Sequence, residues 1–151
     1  MPKVLIDDTF GIMEYINHKS DEYLGNHYSF TKEVPELNMT FNVRVECEEK
    51  GPSNKQKALF KIVTENFNQL EKKMYERMIT KTHIKADFKD FKSCFSYPSM
   101  IIYNSQGIEA KWFLLIDPSN INIMHLGFRF KDFEVTEVLG YDNKGSEITE
   151  S

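Results

Sequence analysis

Apolar and polar residues alternate along residues 39–48, which is the clearest strand pattern in the chain. The apolar positions of this alternation are Met39, Phe41, Val43, Val45 and Cys47. Because successive side chains of a strand point to opposite faces, this period of two predicts a strand with one buried face. Weaker alternation predicts strands over residues 3–6, 11–16 and 24–34, with turns that include residues 17–21. The first third of the chain is therefore predicted to be an antiparallel meander.

A long amphipathic helix is predicted over residues 54–80, where Ser53 or Asn54 is suited to cap its first turn. Apolar residues recur there at steps of three and four, which places them on one stripe of a helix. The stripe consists of Leu59, Phe60, Val63, Phe67, Leu70, Met74 and Met78, and Ile62 and Ile79 are predicted to widen it. Lysines and glutamates, Glu71 among them, are predicted to occupy the solvated face. A second, shorter helix is predicted over residues 84–93.

The last third of the chain is predicted to return to strands. Residues 110–117 contain an apolar run from Trp112 to Ile116, and this run indicates a central strand covered on both faces. The next strand alternates, with Met124, Leu126, Phe128 and Phe130 on one side and His125, Gly127, Arg129 and Lys131 on the other. A further strand is predicted over residues 133–141. Residues 142–151 are polar and are predicted to form a frayed tail.

This order of elements predicts an α+β fold. Its antiparallel sheet combines the N-terminal meander with the C-terminal strands, and the long amphipathic helix and the shorter helix pack on one face. The chain has 151 residues, of which 40% are hydrophobic and 13% aromatic. That length and composition predict a single domain over residues 1–151 with a sizeable core.

Charge and composition exclude several classes of function. The net charge is −4, and the lysines of the long helix are interspersed with glutamates, so no nucleic-acid partner is expected. The longest apolar run has five residues, whereas a membrane-spanning helix needs about 20. The N-terminus lacks the apolar run of a secretory signal. Two widely separated cysteines, Cys47 and Cys94, are typical of reduced thiols, so a cytoplasmic location is expected.

Motifs for metal, nucleotide and acyl-transfer chemistry are absent from the sequence, so no cofactor, metal site or catalytic residue is expected. The four histidines are scattered along the chain. Asp7 and Asp8 are adjacent, and adjacent strand residues cannot flank one scissile bond, so a turn is the better interpretation. One enzyme alternative remains, in which His125 and Arg129, or Cys94 activated by nearby lysines, take part in catalysis.

The C-terminal strands resemble those of a group of small uncharacterised bacterial α+β domains. In that group a His-Gly-x-Gly stretch leads to an Arg-Phe strand and a Val-x-Glu-Val-Gly ending. The residues that match are His125, Gly127, Arg129, Phe130, Val135, Glu137, Val138 and Gly140. The opening is also similar, through Asp7, Phe10, Gly11, Met13 and the stretch Tyr23-Leu24-Gly25. Some members look like immunity proteins encoded beside polymorphic toxins, and the resemblance therefore implies a toxin as partner.

We expect a non-catalytic protein-binding domain, specifically an immunity protein that neutralises a toxin by occlusion. Glu46, Glu48 and Glu49 cluster at the end of the predicted strand 39–48, and we expect them to steer a basic partner. His125 and Arg129, on the polar side of their strand, are the other candidate binding residues. Two alternatives stand beside this hypothesis: the enzyme described above, and a housekeeping interaction domain unrelated to toxins.

Overall fold

One sheet of nine strands organises the described part of the chain, which comprises residues 3–17, 24–105 and 107–151 of the computed structural model. The turn predicted at residues 17–21 falls almost wholly outside these ranges, as do His18 and Tyr23. The strands are β1 (Val4–Asp7), β2 (Gly11–Ile16), β3 (His27–Val34), β4 (Met39–Glu46), β5 (Ser99–Ile102), β6 (Lys111–Ile116), β7 (Ile123–Lys131), β8 (Glu134–Asp142) and β9 (Glu147–Ile148). They lie side by side in chain order, which agrees with the predicted α+β class.

Every neighbouring pair of strands is antiparallel except β4 and β5, which are parallel. A parallel pair needs a crossover connection, because the chain must return to the end of the sheet from which β4 started. Three helices make this crossover: α1 (Asn54–Glu65), α2 (Phe67–Lys81) and α3 (Phe88–Lys92). They cover one face of the sheet. The opposite face, here called the open face, carries no helix among the described residues.

Aromatic side chains join the helices to the centre of the sheet. Phe41 of β4 meets Phe60 of α1 and Phe67 of α2 edge-on, at ring centroid distances of 5.6 and 5.9 Å. Phe67 also meets Phe95, in the loop before β5, at 5.5 Å. Phe67 is only 1% exposed, and the seven residues of the stripe are buried, whereas Ile62, which was predicted to widen it, is 40% exposed. The prediction that this stripe packs against the sheet is therefore confirmed.

The helix predicted as continuous over residues 54–80 is divided at Asn66. Asn66 has φ −117° and ψ 22°, outside helical geometry, and its side-chain amide donates to the carbonyl oxygen of Ile62 at 2.9 Å. Asparagine competes with the backbone for such bonds, which is why it favours helix ends. A capping box between Ser53 and Gln56 begins α1, as expected from the sequence. The predicted helix over residues 84–93 is shorter, and α3 begins only after Asp87 caps it.

Two predictions about the C-terminal strands are wrong. In β6 only Trp112, Leu114 and Ile116 are buried, whereas Leu115 is exposed, because no layer of described residues covers the open face. In β7 Met124 does not share the buried side of its strand. Ile123 pairs with Asp142 and His125 pairs with Tyr141, so Met124 is an extra residue in a β-bulge and is exposed.

The C-terminal residues are also ordered differently from the frayed tail that the sequence predicts. Strand β9 pairs with β8 and buries Ile148 against the core. Glu150 accepts two hydrogen bonds from the guanidinium of Arg77, at 2.8 and 2.9 Å, and a third from the amide of Val138 at 2.9 Å. These bonds attach the C-terminal residues to α2 and β8. The polar composition of residues 142–151 does not predict them, because the partners are distant in the sequence.

Truncation of Phe67 to alanine is expected to lower the free energy of unfolding by about 3–5 kcal/mol, because a large cavity would open between the helices and the sheet. Chemical denaturation monitored by circular dichroism measures this change. Ile62→Ala removes a half-exposed side chain from the outer side of α1 and serves as the control, with a loss below about 1 kcal/mol. Equal losses in the two variants would contradict this packing.

Glu150→Gln is expected to lower the free energy of unfolding by about 1–2 kcal/mol at neutral pH, because it removes a charge-assisted pair of hydrogen bonds. The hydrogen bonds from Arg77 lower the pKa of Glu150 below its ordinary value of 4.5. A lowered pKa in the folded state contributes stability above the unfolded value and loses it as the pH falls through the folded value. The difference between wild type and variant should therefore be constant above pH 6 and shrink below about pH 4.5. A difference that does not change with pH would contradict the ion pair.

Candidate protein-binding site

The open face of the sheet brings two of the predicted binding residues together. His125 and Arg129 are four residues apart on β7, and both side chains are exposed on this face. In the register, Arg129 lies opposite Phe113, and Gly127 lies opposite Leu115 of β6. Phe113 and Leu115 are therefore neighbours of the two polar residues on the same face.

Gly127 allows this part of the open face to be flat. A Cβ atom at Gly127 would lie 2.4 Å from Cζ of Phe113, so the aromatic ring occupies the space above the glycine. The ring covers the backbone of β7 between His125 and Arg129. Any larger residue at position 127 would displace the ring, which explains why glycine stands in the middle of a long strand.

The polar side chains beside Phe113 each make a long contact with a side chain of β8. Arg129 lies opposite Glu137 of β8, with its Nε 3.4 Å from a carboxylate oxygen. His125 meets the ring of Tyr141 edge-on at a centroid distance of 6.4 Å. All four side chains reach solvent to a large extent, so this arrangement suits surface contact with another molecule.

A patch of three aliphatic side chains lies at the other end of the open face. Val4 and Ile6 of β1 are 53% and 78% exposed, and Ile12 of β2 is 71% exposed. Ile6 and Ile12 face each other directly across the two strands, and Val4 is two residues further along β1. We call these three residues the aliphatic patch.

The β1–β2 turn beside the patch is held firmly by Asp7. One carboxylate oxygen of Asp7 accepts hydrogen bonds from the amides of Thr9 and Phe10, at 2.8 and 2.9 Å. The other forms an ion pair with Lys57 of α1 at 2.5 Å. Desolvation raises the pKa of Asp7, but the bonds from Lys57 and the two amides outweigh it and lower the pKa. The predicted turn is present at Asp8, whereas Asp7 is the last residue of β1, and the bonds of Asp7 fix the patch relative to the helices.

The patch also lies at an edge of the sheet. Strand β1 is the first in the strand order and pairs only with β2 among the described residues. Its outer side therefore presents backbone amide and carbonyl groups beside exposed isoleucine and valine. Such an edge is a template for pairing with another chain.

The acidic cluster predicted as a steering surface is engaged within the molecule. Glu46 accepts a hydrogen bond from the amide of Asn104 at 2.9 Å, and Glu48 accepts one from the side chain of Asn26 at 3.1 Å. Glu49 forms an ion pair with Lys3 at 2.7 Å. These carboxylates order the loops at the end of β4, so the structure gives each of them a local stabilising role. It does not bring them beside His125 or Arg129, which lie three strands away.

The two cysteines are buried and are not bonded to each other. Burial raises the pKa of Cys47 and of Cys94 to about 11. At Cys94 the carboxylates of Asp117 and Asp90 add to this effect, so the expectation that nearby lysines would lower its pKa is wrong. A nucleophilic cysteine needs a lowered pKa, and the environment of Cys94 does the opposite.

Both thiols should react with an aromatic disulfide reagent about a hundred times more slowly in the folded protein than in denaturant, since two pKa units remove about 99% of the thiolate. Measuring the release of the coloured thiol with and without guanidinium chloride checks this. Rapid modification of Cys94 in the folded protein would show that it is accessible and activated.

The aliphatic patch is the feature that sequence analysis missed. Both β1 and β2 were predicted as strands, but four and six residues are too few to tell which face is covered. The available signal was the Asp7-Asp8 turn, which makes β1 and β2 a hairpin and places Ile6 opposite Ile12.

Comparisons with known proteins add no assignment, since no family model, no curated protein and no solved structure matches the chain. Within the described ranges, no group of three or more histidine, cysteine, aspartate or glutamate side chains is arranged to hold a metal ion. None of the helices found there is both long and apolar enough to cross a membrane.

Proposed function

We propose that this protein is a non-catalytic protein-binding domain that contacts its partner through the aliphatic patch of the open face. The observation that supports this proposal is the exposure of Val4, Ile6 and Ile12 on adjacent strands of a face that none of the described helices covers. Single exposed apolar residues are ordinary, but a contiguous group beside an edge strand is typical of an interaction surface.

Burial of the patch by a partner would supply substantial binding energy. Complete burial of one isoleucine is worth about 1.5–3 kcal/mol relative to exposure. The patch is preorganised, because the Asp7 turn fixes β1 against β2 and Lys57 ties the turn to α1. Little conformational entropy is therefore lost there on binding, which favours affinity.

The edge of β1 supports a particular mode of contact. An extended segment of the partner that pairs with β1 would satisfy its outer backbone groups and place apolar side chains over Ile6 and Val4. Main-chain hydrogen bonds would then contribute affinity, and the isoleucine side chains would contribute specificity. We propose this strand addition as the mode of binding.

We propose a basic protein as the partner, because the net charge of the chain is −4 and opposite charges accelerate association. A toxin neutralised by occlusion, the class that the sequence resemblance implies, is the specific form of this proposal. His125 and Arg129 lie on the same face, about five strand spacings or roughly 25 Å from Ile12. A globular partner is large enough to contact the aliphatic patch and these two residues together.

The double variant Ile6→Thr and Ile12→Thr tests the proposal. Threonine keeps the β-branched shape that a strand favours, so the fold should be retained and the free energy of unfolding should change by less than about 1 kcal/mol. Proteins captured from an extract of the native organism by wild type should be lost with the double variant. Titration of the purified partner should show at least about a hundredfold loss of affinity, which corresponds to the burial of two isoleucines.

Ile108→Thr is the matched control, because Ile108 is 96% exposed and lies in the loop between β5 and β6. This variant should bind the partner as wild type does. Equal affinity of the wild type and the double variant would remove the patch from the proposal. A wild type that forms a dimer by light scattering, and becomes monomeric in the double variant, would replace the separate partner with a second copy of this chain.

A further inference from the structure

A cavity of about 340 Å³ lies on the helix-covered side of the sheet, away from the aliphatic patch. It opens where α2 and α3 meet the 3₁₀ turn Pro35–Leu37, which connects β3 to β4. Its charged wall residues are Glu36, Glu71 and Lys92. A volume of this size accommodates a small ligand or a single large side chain from another protein.

Glu71 is the unusual residue of this cavity. Its side chain belongs to α2, is only 5% exposed and lines the cavity wall. No hydrogen bond or ion pair to it is present among the described residues. Burial raises the pKa of Glu71, and the charge of Lys92 opposes that shift. Buried carboxylates are ordinarily paired, because removal from water without a partner is costly.

The sequence analysis placed Glu71 on the solvated face of the long helix, and this assignment is wrong. Glu71 follows Phe67 by four residues and precedes Met74 by three, so it shares their side of the helix. Glu71 lines the cavity together with Phe67 of the buried stripe. The molecule thus holds an acceptor group in a recess that has room for a donor.

The charges of the cavity favour a monovalent cation as ligand. Two carboxylates and one ammonium group leave the ionised cavity with a net charge of −1, which one positive charge neutralises. Lys92 does not itself pair with Glu71, since no ion pair joins them, and its ammonium lies 5.6 Å from the centre of the Phe88 ring. Amide and hydroxyl groups of Asn68 and Ser96 also line the cavity and offer further hydrogen-bond acceptors.

We propose that this cavity binds a guanidinium group, with Glu71 as its ion-pair partner. A guanidinium is planar, more weakly hydrated than an ammonium and able to donate two parallel hydrogen bonds to one carboxylate. Its remaining N–H groups can donate hydrogen bonds to Asn68 and Ser96 on the neighbouring walls. The guanidinium belongs to an arginine, either free or within a protein segment. The site is independent of the proposed function of the aliphatic patch.

Titration followed by ¹⁵N–¹H nuclear magnetic resonance tests the site with defined probes. N-acetyl-arginine amide should shift the amide signals of Asn68, Glu71 and Ser96 in a saturable way at millimolar concentration. N-acetyl-citrulline amide has the same shape without the charge and should cause no saturable shift. Free arginine is compared with the blocked compound: tighter binding of the blocked compound indicates an arginine within a protein segment, whereas tighter binding of free arginine indicates a small-molecule ligand.

Three variants distinguish recognition by Glu71 from general electrostatics. Glu71→Gln keeps the volume and removes the charge, and it should weaken binding of the arginine compound by at least about tenfold. Lys92→Gln removes the competing cation and should strengthen binding about two- to fivefold. Glu76→Gln changes an exposed carboxylate on the same helix and should leave the affinity unchanged.

The proposal is overturned if the arginine compound causes no saturable shift, if the citrulline compound binds equally, or if Glu71→Gln binds as wild type does. Glu71→Gln removes a desolvated charge and should fold at least as well as wild type, which thermal melting verifies. Because Lys92 is exposed, Lys92→Gln remains informative in any case. A Lys92→Gln variant with weaker binding would contradict repulsion between Lys92 and the bound guanidinium and would also overturn the proposal.

Discussion

The packing of Phe60 and Phe67 on Phe41 is the contact on which the rest of this structure depends. Phe41 lies in β4, and the chain leaves β4 through α1 and returns to the sheet at β5. The contact therefore holds the one crossover of the described sheet against β4. Without it, the crossover helices would lose these aromatic contacts with the centre of the sheet, where hydrogen bonds between β4 and β5 join its two antiparallel halves. Because the crossover uses all three helices on one face, it also leaves the other face without a covering layer. The open face is thus a direct consequence of how the sheet is closed.

An uncovered sheet must limit its exposed apolar surface, and the two ends of the open face do so differently. Around β7, the ring of Phe113 lies over Gly127, and charged residues such as Arg129 and Glu137 surround it. That end combines charged groups with apolar side chains, of which Leu115 and Tyr141 are 37% and 48% exposed. At the β1–β2 end, within the described part of the chain, Ile6 and Ile12 are 78% and 71% exposed, and the Asp7 turn holds β1 against β2. The contrast within one face is why the aliphatic patch, rather than the sheet as a whole, carries the functional proposal.

Much of the fold was predictable because strand and helix periodicity are local properties. The strand alternation at residues 39–48 and the apolar stripe through Phe67 and Met74 are both found where expected. The errors concern features that depend on distant residues. Whether β6 is covered on both faces depends on where the helices lie, and the order of the C-terminus depends on Arg77, more than seventy residues away from its partner Glu150. The cavity was not predictable either, since its walls come from α2, α3 and the turn before β4.

Glu71 shows how a local violation of a helical pattern can identify a site that no motif marks. A chain selected for stability alone would place an apolar residue between Leu70 and Met74, because a buried and unpaired carboxylate weakens the fold. Its neighbours on the stripe are fully buried, so the position is well suited to leucine or methionine. Residues that break the rules of their element without a compensating internal contact are expected at functional sites. The compensation for Glu71 is therefore to be sought outside the chain, in a donor group that fits the recess in front of it.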